Sequence, residues 1–295
     1  MTAGLLCGGG FVTTTFAGPE AISSKDKNPI VEVPTACEPR WYLSIGGGAD
    51  FDLGRTHINK SVFAPGIAPF TTAYIKEHKW NDVYDDAWRI QGEIGYVLTE
   101  HLEAFGLFKY AQADATRRTR GSEVTNDVLN LIGGPTLHFP ISSEWDDYTA
   151  YGGELGLRCF FFSKQARFRP YLQISGGGTH VDKINIRTFV DESAIGGPSD
   201  VEVFHGGFFD DSWVWTASGQ MGAEFSLNCH WTIGVQGGVR YESILDDNDR
   251  DLNSSSFTIG GPFGTIPFRF ANGTNDDSGD RLVATVTGYL KFRFW

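Results

Sequence analysis

The 295-residue sequence predicts an all-β protein: one up-and-down barrel of eight antiparallel strands. Three observations predict it. Apolar and polar residues alternate through eight segments from Trp41 onward, the period-two pattern of strands with two unlike faces. The connections between these segments are short and long by turns. Composition closes off other classes. The 37 glycines and only 12 prolines fit neither collagen nor a proline-rich linker, and 14% aromatic residues are too many for a disordered chain. A net charge of −12 argues against nucleic acid as a partner, because its binders carry a basic footprint. No run of about 18 apolar residues offers a transmembrane helix, whereas strands that cross lipid leave no such run.

From the amino end, residues 1–17 are expected to be an export signal. Met1 to Phe16 is small, apolar and uncharged, and Thr15-Phe16-Ala17 has the form of a cleavage site, although the usual basic start is missing. Leu5-Leu6-Cys7 invites a lipid-anchored reading, against which Gly4 stands where such signals carry leucine. Residues 18–40 are polar and proline-punctuated, a flexible leader before the barrel of residues 41–295. The four cysteines, Cys7, Cys37, Cys159 and Cys229, have neither CxxC nor zinc-site spacing. Cys37 and Cys229 would lie at one end of the barrel, so a bridge between them and unpaired thiols are both open.

The first strand, Trp41 to Leu53, sets Trp41, Leu43, Ile45, Gly47, Ala49, Phe51 and Leu53 against Tyr42, Ser44, Asp50 and Asp52. Ala87 to Leu98 sets Trp88, Ile90, Ile94 and Tyr96 against Arg89, Gln91 and Glu93. Leu102 to Asp114 opposes Leu102, Phe108 and Tyr110 to Glu103 and Lys109. Thr149 to Phe162 opposes Tyr151, Leu155, Leu157, Cys159 and Phe161 to Glu154 and Arg158, and Phe168 to Val181 opposes Leu172 and Ile174 to Tyr171 and Gln173. The last three are the clearest. Ser212 to Leu227 carries Trp213, Trp215, Met221 and Phe225 against Gln220 and Glu224. Trp231 to Ile244 carries Trp231, Ile233, Val235 and Tyr241 against Gln236, Arg240 and Glu242. Arg281 to Phe294 carries Leu282, Val286, Leu290, Phe292 and Phe294 against Lys291 and Arg293.

Residues 99–101, 163–167 and 228–230 are short turns, while 54–86, 115–148, 182–211 and 245–280 are long loops. Such asymmetry fits a barrel with short periplasmic turns and long outside loops. Ile184–Val190 and Asp200–Phe204 also look strand-like, so they extend neighbouring strands or form a further membrane hairpin, which would make ten strands.

Alternation does not say which face meets water; a soluble lipocalin-like barrel would turn the apolar face inward. Two aromatic belts favour lipid outside. Trp41, Tyr96, Trp231, Phe292 and Phe294 fall at the short-turn end, and Trp88, Trp213, Trp215 and Tyr241 at the long-loop end, spaced for an apolar band of roughly 25 Å. The polar face carries both signs of charge, which can neutralise each other in an enclosed lumen. Arg89, Glu93, Glu154, Arg158, Glu224, Arg240 and Lys291 are the expected core of that network, with Glu103, Lys109, Glu242 and Arg293 on the same face.

On Tyr96-Val97-Leu98-Thr99-Glu100-His101-Leu102, Phe168-Arg169-Pro170-Tyr171-Leu172 and the terminal Leu290-Lys291-Phe292-Arg293-Phe294-Trp295, the chain resembles the small eight-stranded outer-membrane barrels, the OmpA-like transmembrane domain and the opacity-protein group. The resemblance implies an outer-membrane location, contact with its lipid and lipopolysaccharide, and delivery by the barrel-insertion machinery, which reads an aromatic end. Alternation puts Phe294 on the apolar face, so Trp295 lies one residue beyond the usual register.

An eight-stranded barrel is barely wide enough for its own side chains. A plugged lumen is therefore expected, with the loops left to recognition. The expected role is an envelope scaffold or a surface adhesion protein with a host or envelope ligand, and the alternative is a small porin-like channel. No cofactor is expected. Asp247, Asp249 and Asp251 resemble the start of a calcium loop but lack its glycine and closing glutamate, so no metal site is assigned. His180 and His205 with Asp210, Asp211 and Ser212 are the nearest approach to a catalytic set, without a G-x-S-x-G or H-E-x-x-H motif, and no enzyme is expected.

Overall fold

A computed structural model describes residues 40–53, 57–59, 62–65, 71–115, 118–127, 133–193, 196–245, 256–261, 264–269 and 279–294. The export signal, nearly all of the leader, Cys37 and its bridge to Cys229, and the Asp247–Asp249–Asp251 triplet lie outside these residues. In chain order the elements are β1 (Trp41–Asp52), β2 (His57–Asn59), β3 (Val62–Pro65), β4 (Thr71–Ile75), β5 (His78–Lys79), α1 (Trp80–Val83), β6 (Ala87–Val97), β7 (Leu102–Ala113), β8 (Thr119–Asn126) and β9 (Leu137–Trp145). There follow β10 (Tyr148–Phe160), β11 (Phe168–Val181), β12 (Ile184–Val190), β13 (Val201–Phe209), β14 (Ser212–Ser226), β15 (Trp231–Glu242), β16 (Ser256–Gly261), β17 (Gly264–Arg269) and β18 (Arg281–Phe294).

Eight strands close an antiparallel barrel in the order β1-β18-β15-β14-β11-β10-β7-β6. They are the eight alternating segments of the sequence: β11 and β18 have the expected bounds, and the other six end within two residues of theirs. Two of the three short turns repeat one design. Thr99 Oγ1 accepts from His101 N, and Asn228 Oδ1 accepts from His230 N; each histidine ring then meets a carbonyl of the neighbouring strand at 3.0 Å.

Glycine sets how closely the lumen packs. Four aromatic residues each lie directly across from a glycine: Tyr42 from Gly95, Phe105 from Gly156, Tyr171 from Gly222 and Tyr289 from Gly234. The ring occupies the space a Cβ would take. On Gly222 that Cβ would fall 2.5 Å from the Tyr171 hydroxyl oxygen and 2.6 Å from the Val235 carbonyl. Gly222→Ala is therefore expected to cost about 1–3 kcal/mol through overpacking. Gly219→Ala on the same strand meets nothing within 4 Å and should leave stability unchanged. Urea unfolding of the two refolded variants checks this contrast; equal midpoints would refute it.

The long connections hold more structure than loops. A second sheet runs β13-β12-β9-β8-β4-β3, and β16 pairs with β17. This corrects the ten-strand alternative. Residues 184–190 pair with β13 and β9, outside a barrel already closed by eight strands. The physical reason lies in their apolar side chains. Ile184, Ile186, Phe204 and Phe209 are buried in a core above the barrel mouth with Ile58, Trp80, Tyr84 and Tyr148, whereas a membrane hairpin would turn them to lipid.

Candidate functional site: a filled lumen beneath a displayed sheet

The barrel inverts the soluble arrangement. Ile45, Phe108, Leu155 and Met221 are exposed around its waist, while Arg158, Glu224, Lys109 and Lys291 are buried inside. A polar surface outside and an apolar core would be required in water; this distribution requires lipid outside. The aromatic residues edge that band. At the loop end Trp88 meets Tyr110 at 5.4 Å, and His180 stacks on Tyr151 at 5.0 Å and meets Trp213 edge-on at 5.4 Å. Trp215 and Tyr241 are exposed on the same outer face. At the turn end Trp41 meets Tyr96 at 4.9 Å, Trp231 meets Phe292 at 4.8 Å, and Phe292 stacks on Phe294 at 6.2 Å.

Inside, the charges form two clusters. In the loop-end cluster Asp50 bridges Arg89 at 3.2 Å and Arg240 at 2.7 Å, and Glu242 joins Arg240 at 2.8 Å to Arg281 at 3.4 Å. Lys109 meets Glu154 at 2.6 Å, and Glu154 also accepts from Ser175 at 2.6 Å. A neutral layer follows, in which Gln173 donates to Gln220 at 3.0 Å and Tyr171 donates to Gln236 at 2.9 Å.

The turn-end cluster centres on Arg158, 1% exposed. Its guanidinium donates to Glu93 at 3.0 Å and to Gln173 at 3.0 Å, and Glu224 and Glu103 stand at 3.5 and 3.6 Å. The rings of Tyr171, Phe105 and Tyr289 surround it at 4.8, 5.1 and 5.7 Å. These are rings that the cross-strand glycines admit. Lys291 pairs with Glu224 and, at 3.0 Å, with Glu103; Arg293 meets Glu224 at 2.9 Å.

The seven singled-out charges thus divide. Arg89, Glu154 and Arg240 sit in the loop-end cluster, and Glu93, Arg158, Glu224 and Lys291 in the turn-end one. Sequence reasoning did not single out Asp50, Arg169 or Arg281, all buried in the lumen. Their strand phase was the available signal: each lies an even number of residues from an inward charge or ring, Asp50 from Tyr42, Arg169 from Tyr171 and Arg281 from Lys291.

The mouth is stoppered by the segment around α1. Trp80 lies over the Arg281 guanidinium at 4.4 Å and meets Tyr148 edge-on at 5.4 Å; Tyr84 donates to the Asp146 carbonyl at 3.0 Å. Burial beside Lys76 lowers the pKa of His78 just before this helix. Above, the outer sheet shows a charged face. Arg118 pairs with Glu144 at 2.6 Å and with Asp200 at 2.7 Å over the Phe189 ring, and Arg187 meets Glu144 at 3.3 Å. The histidine set is dispersed. His180 faces outward, 3.7 Å from Asp211, Ser212 is buried on the lumen side, and His205 pairs with Glu202 at 3.8 Å.

No known protein family matches the sequence, and no curated protein matches it. Solved structures do resemble the fold. Neisserial surface protein A is 11% identical at a TM-score of 0.35, covering 86% of this chain and 96% of its own. Ail, the attachment invasion locus protein of Yersinia pestis, is 11% identical at a TM-score of 0.37, covering 87% and 99%. The outer membrane protease OmpT of Escherichia coli is 9% identical at a TM-score of 0.29, covering 86% and 97%. Scores this low add no weight to what the closed barrel shows by itself: an apolar exterior between aromatic belts, and its charges sealed inside. The chain is a closed eight-stranded antiparallel β-barrel with the apolar waist and aromatic belts of a membrane-spanning barrel.

Proposed function

We propose that the chain is an envelope scaffold and surface interaction protein rather than a channel or an enzyme. One observation carries this reading: the lumen is filled by two ion-pair clusters and capped by Trp80, while a six-stranded sheet is held above the membrane. A rigid barrel with a closed lumen spends its long connections on display, where a ligand of the envelope or of a host surface would bind. Lipopolysaccharide around the rim and the barrel-insertion machinery during biogenesis are the other partners this reading requires.

Planar lipid bilayers test it. The refolded chain should insert without conductance steps. Liposomes carrying it should also adhere to envelope or host-cell surfaces until protease shaves the exposed loops. Steady, reproducible single-channel steps would instead establish the porin-like reading.

A further inference from the structure

The lipid-facing wall of the barrel is not smooth. On the outside of β11, β14, β15 and β18, in the turn-end half, lies an open groove of about 660 Å³. Pro170, Ala223 and Gly237 line it with little side chain. They stand on three consecutive strands, and the register holds them at neighbouring heights. Pro170 pairs with Ala223, and Gly237 pairs with Met221, two residues from Ala223. Phe161, Leu172 and Met221 rise around this floor, each exposed. A recess left empty forfeits dispersion contacts, and a flexible hydrocarbon chain is the material at hand to fill it.

The turn below the groove supplies charge. Residues 163–167 read Ser-Lys-Gln-Ala-Arg, two cations and no acid in a chain of net charge −12. Among the described residues neither Lys164 nor Arg167 enters an ion pair. Arg167 is exposed and stays with the strands of the groove. Its carbonyl accepts from Ser226 N at 2.9 Å, and its guanidinium lies over the outward Phe225 ring at 5.2 Å. Phe225 is two residues from Ala223, and Arg167 is three from Pro170. The cation therefore sits about 7–10 Å of strand below the groove floor. A phospholipid has its parts in the same order, with the phosphodiester at the interface and the acyl chain immediately inward.

We propose that this groove is a site for one anionic phospholipid of the turn-side leaflet. An acyl chain lies over Pro170, Ala223 and Gly237, and Arg167 with Lys164 holds the headgroup at its phosphodiester. Arginine's planar fork matches two phosphate oxygens, and lysine adds a point charge. A headgroup of net negative charge, such as phosphatidylglycerol, is favoured over zwitterionic phosphatidylcholine, whose choline cation opposes the same two residues. The site rests on the lipid-facing exterior. It is independent of what the displayed sheet binds and of whether the lumen conducts.

The test is native mass spectrometry of the refolded full chain, released from micelles after titration with phosphatidylglycerol or phosphatidylcholine. One phosphatidylglycerol per chain should be retained at a lipid concentration about fivefold or more below that needed for phosphatidylcholine. Lys164→Gln combined with Arg167→Gln should abolish this preference. Arg120→Gln, which removes an exposed cation of the upper sheet, should leave it intact. Ala223→Leu fills the groove without touching charge. It should weaken retention of both lipids several-fold while the heat-dependent gel shift stays unchanged. Equal retention of the two lipids, a preference that survives the double substitution, or retention indifferent to Ala223→Leu would each overturn the proposal. A dimer that Ala223→Leu dissociates would overturn it too, by giving the groove to a second copy of the chain. Failure of the wild-type chain to fold into phosphatidylcholine vesicles would be a separate defeat, because it removes the lipid-facing exterior itself.

Discussion

Arg158→Ala is expected to lower the unfolding free energy of the refolded barrel by about 3–5 kcal/mol, the cost of breaking a buried ion pair by removing one partner. Three carboxylates depend on this guanidinium: Glu93 at 3.0 Å, Glu224 at 3.5 Å and Glu103 at 3.6 Å. Lys291 and Arg293 still serve Glu224, so Glu93 is the group left stranded. The loss therefore falls on one acid. Adding Glu93→Gln to the variant should restore part of the stability, because a neutral amide tolerates burial better than an unpaired carboxylate. Urea titration read by the heat-dependent gel shift measures both changes. A wild-type midpoint for Arg158→Ala would mean that water reaches the cluster and that the lumen is open.

Leu155→Arg tests the opposite face. Leu155 is 76% exposed, and its cross-strand neighbours are Gly106 and Gly176, so nothing shields it. In water an exposed leucine exchanged for arginine would stay within about 0.5 kcal/mol of neutral. In the middle of a lipid-facing band the same change should cost about 2–4 kcal/mol. Reversible folding into phosphatidylcholine vesicles reads the difference, and a neutral result would contradict a membrane around the waist.

The barrel was legible in the sequence because one physical constraint, lipid outside and charge inside, acts on every residue of every strand. It leaves a pattern as regular as Trp213 to Leu227, which needs no partner strand to be read. In the upper sheet only β12 and part of β13 look strand-like from the sequence; β3, β4, β8 and β9 leave no such trace. β8 is interrupted by a register shift between Arg120 and Ser122, where Gly121 has a φ of 103°, and β9 carries Pro140 in its middle. Both features disguise a strand as a loop. The apolar side chains of β12 read equally as lipid-facing or as core-facing; only the pairing with β9 decides between them. Charges were placed on the inner face by phase, but which acid meets which base depends on strand stagger, and alternation carries no information about that. Arg158 and Glu93 are 65 positions apart, and Arg240 and Asp50 are 190 apart.

The aromatic–glycine pairs bear on how the barrel comes to have one stagger at all. One falls on each of the four strand pairs joined by long connections, β1–β6, β7–β10, β11–β14 and β15–β18, while Phe105 also faces Gly95 across β6–β7 and Tyr289 faces Gly46 across β1–β18. A slip of one residue is punished by turning every side chain to the wrong medium, but a slip of two preserves both faces. In that slip Tyr42 would land on Glu93 or Val97, Phe105 on Glu154 or Arg158, and Tyr171 on Gln220 or Glu224. Each would drive a ring into a side chain where the native partner has none. Every long hairpin thus carries, within its own two strands, a pairing that a two-residue slip would break.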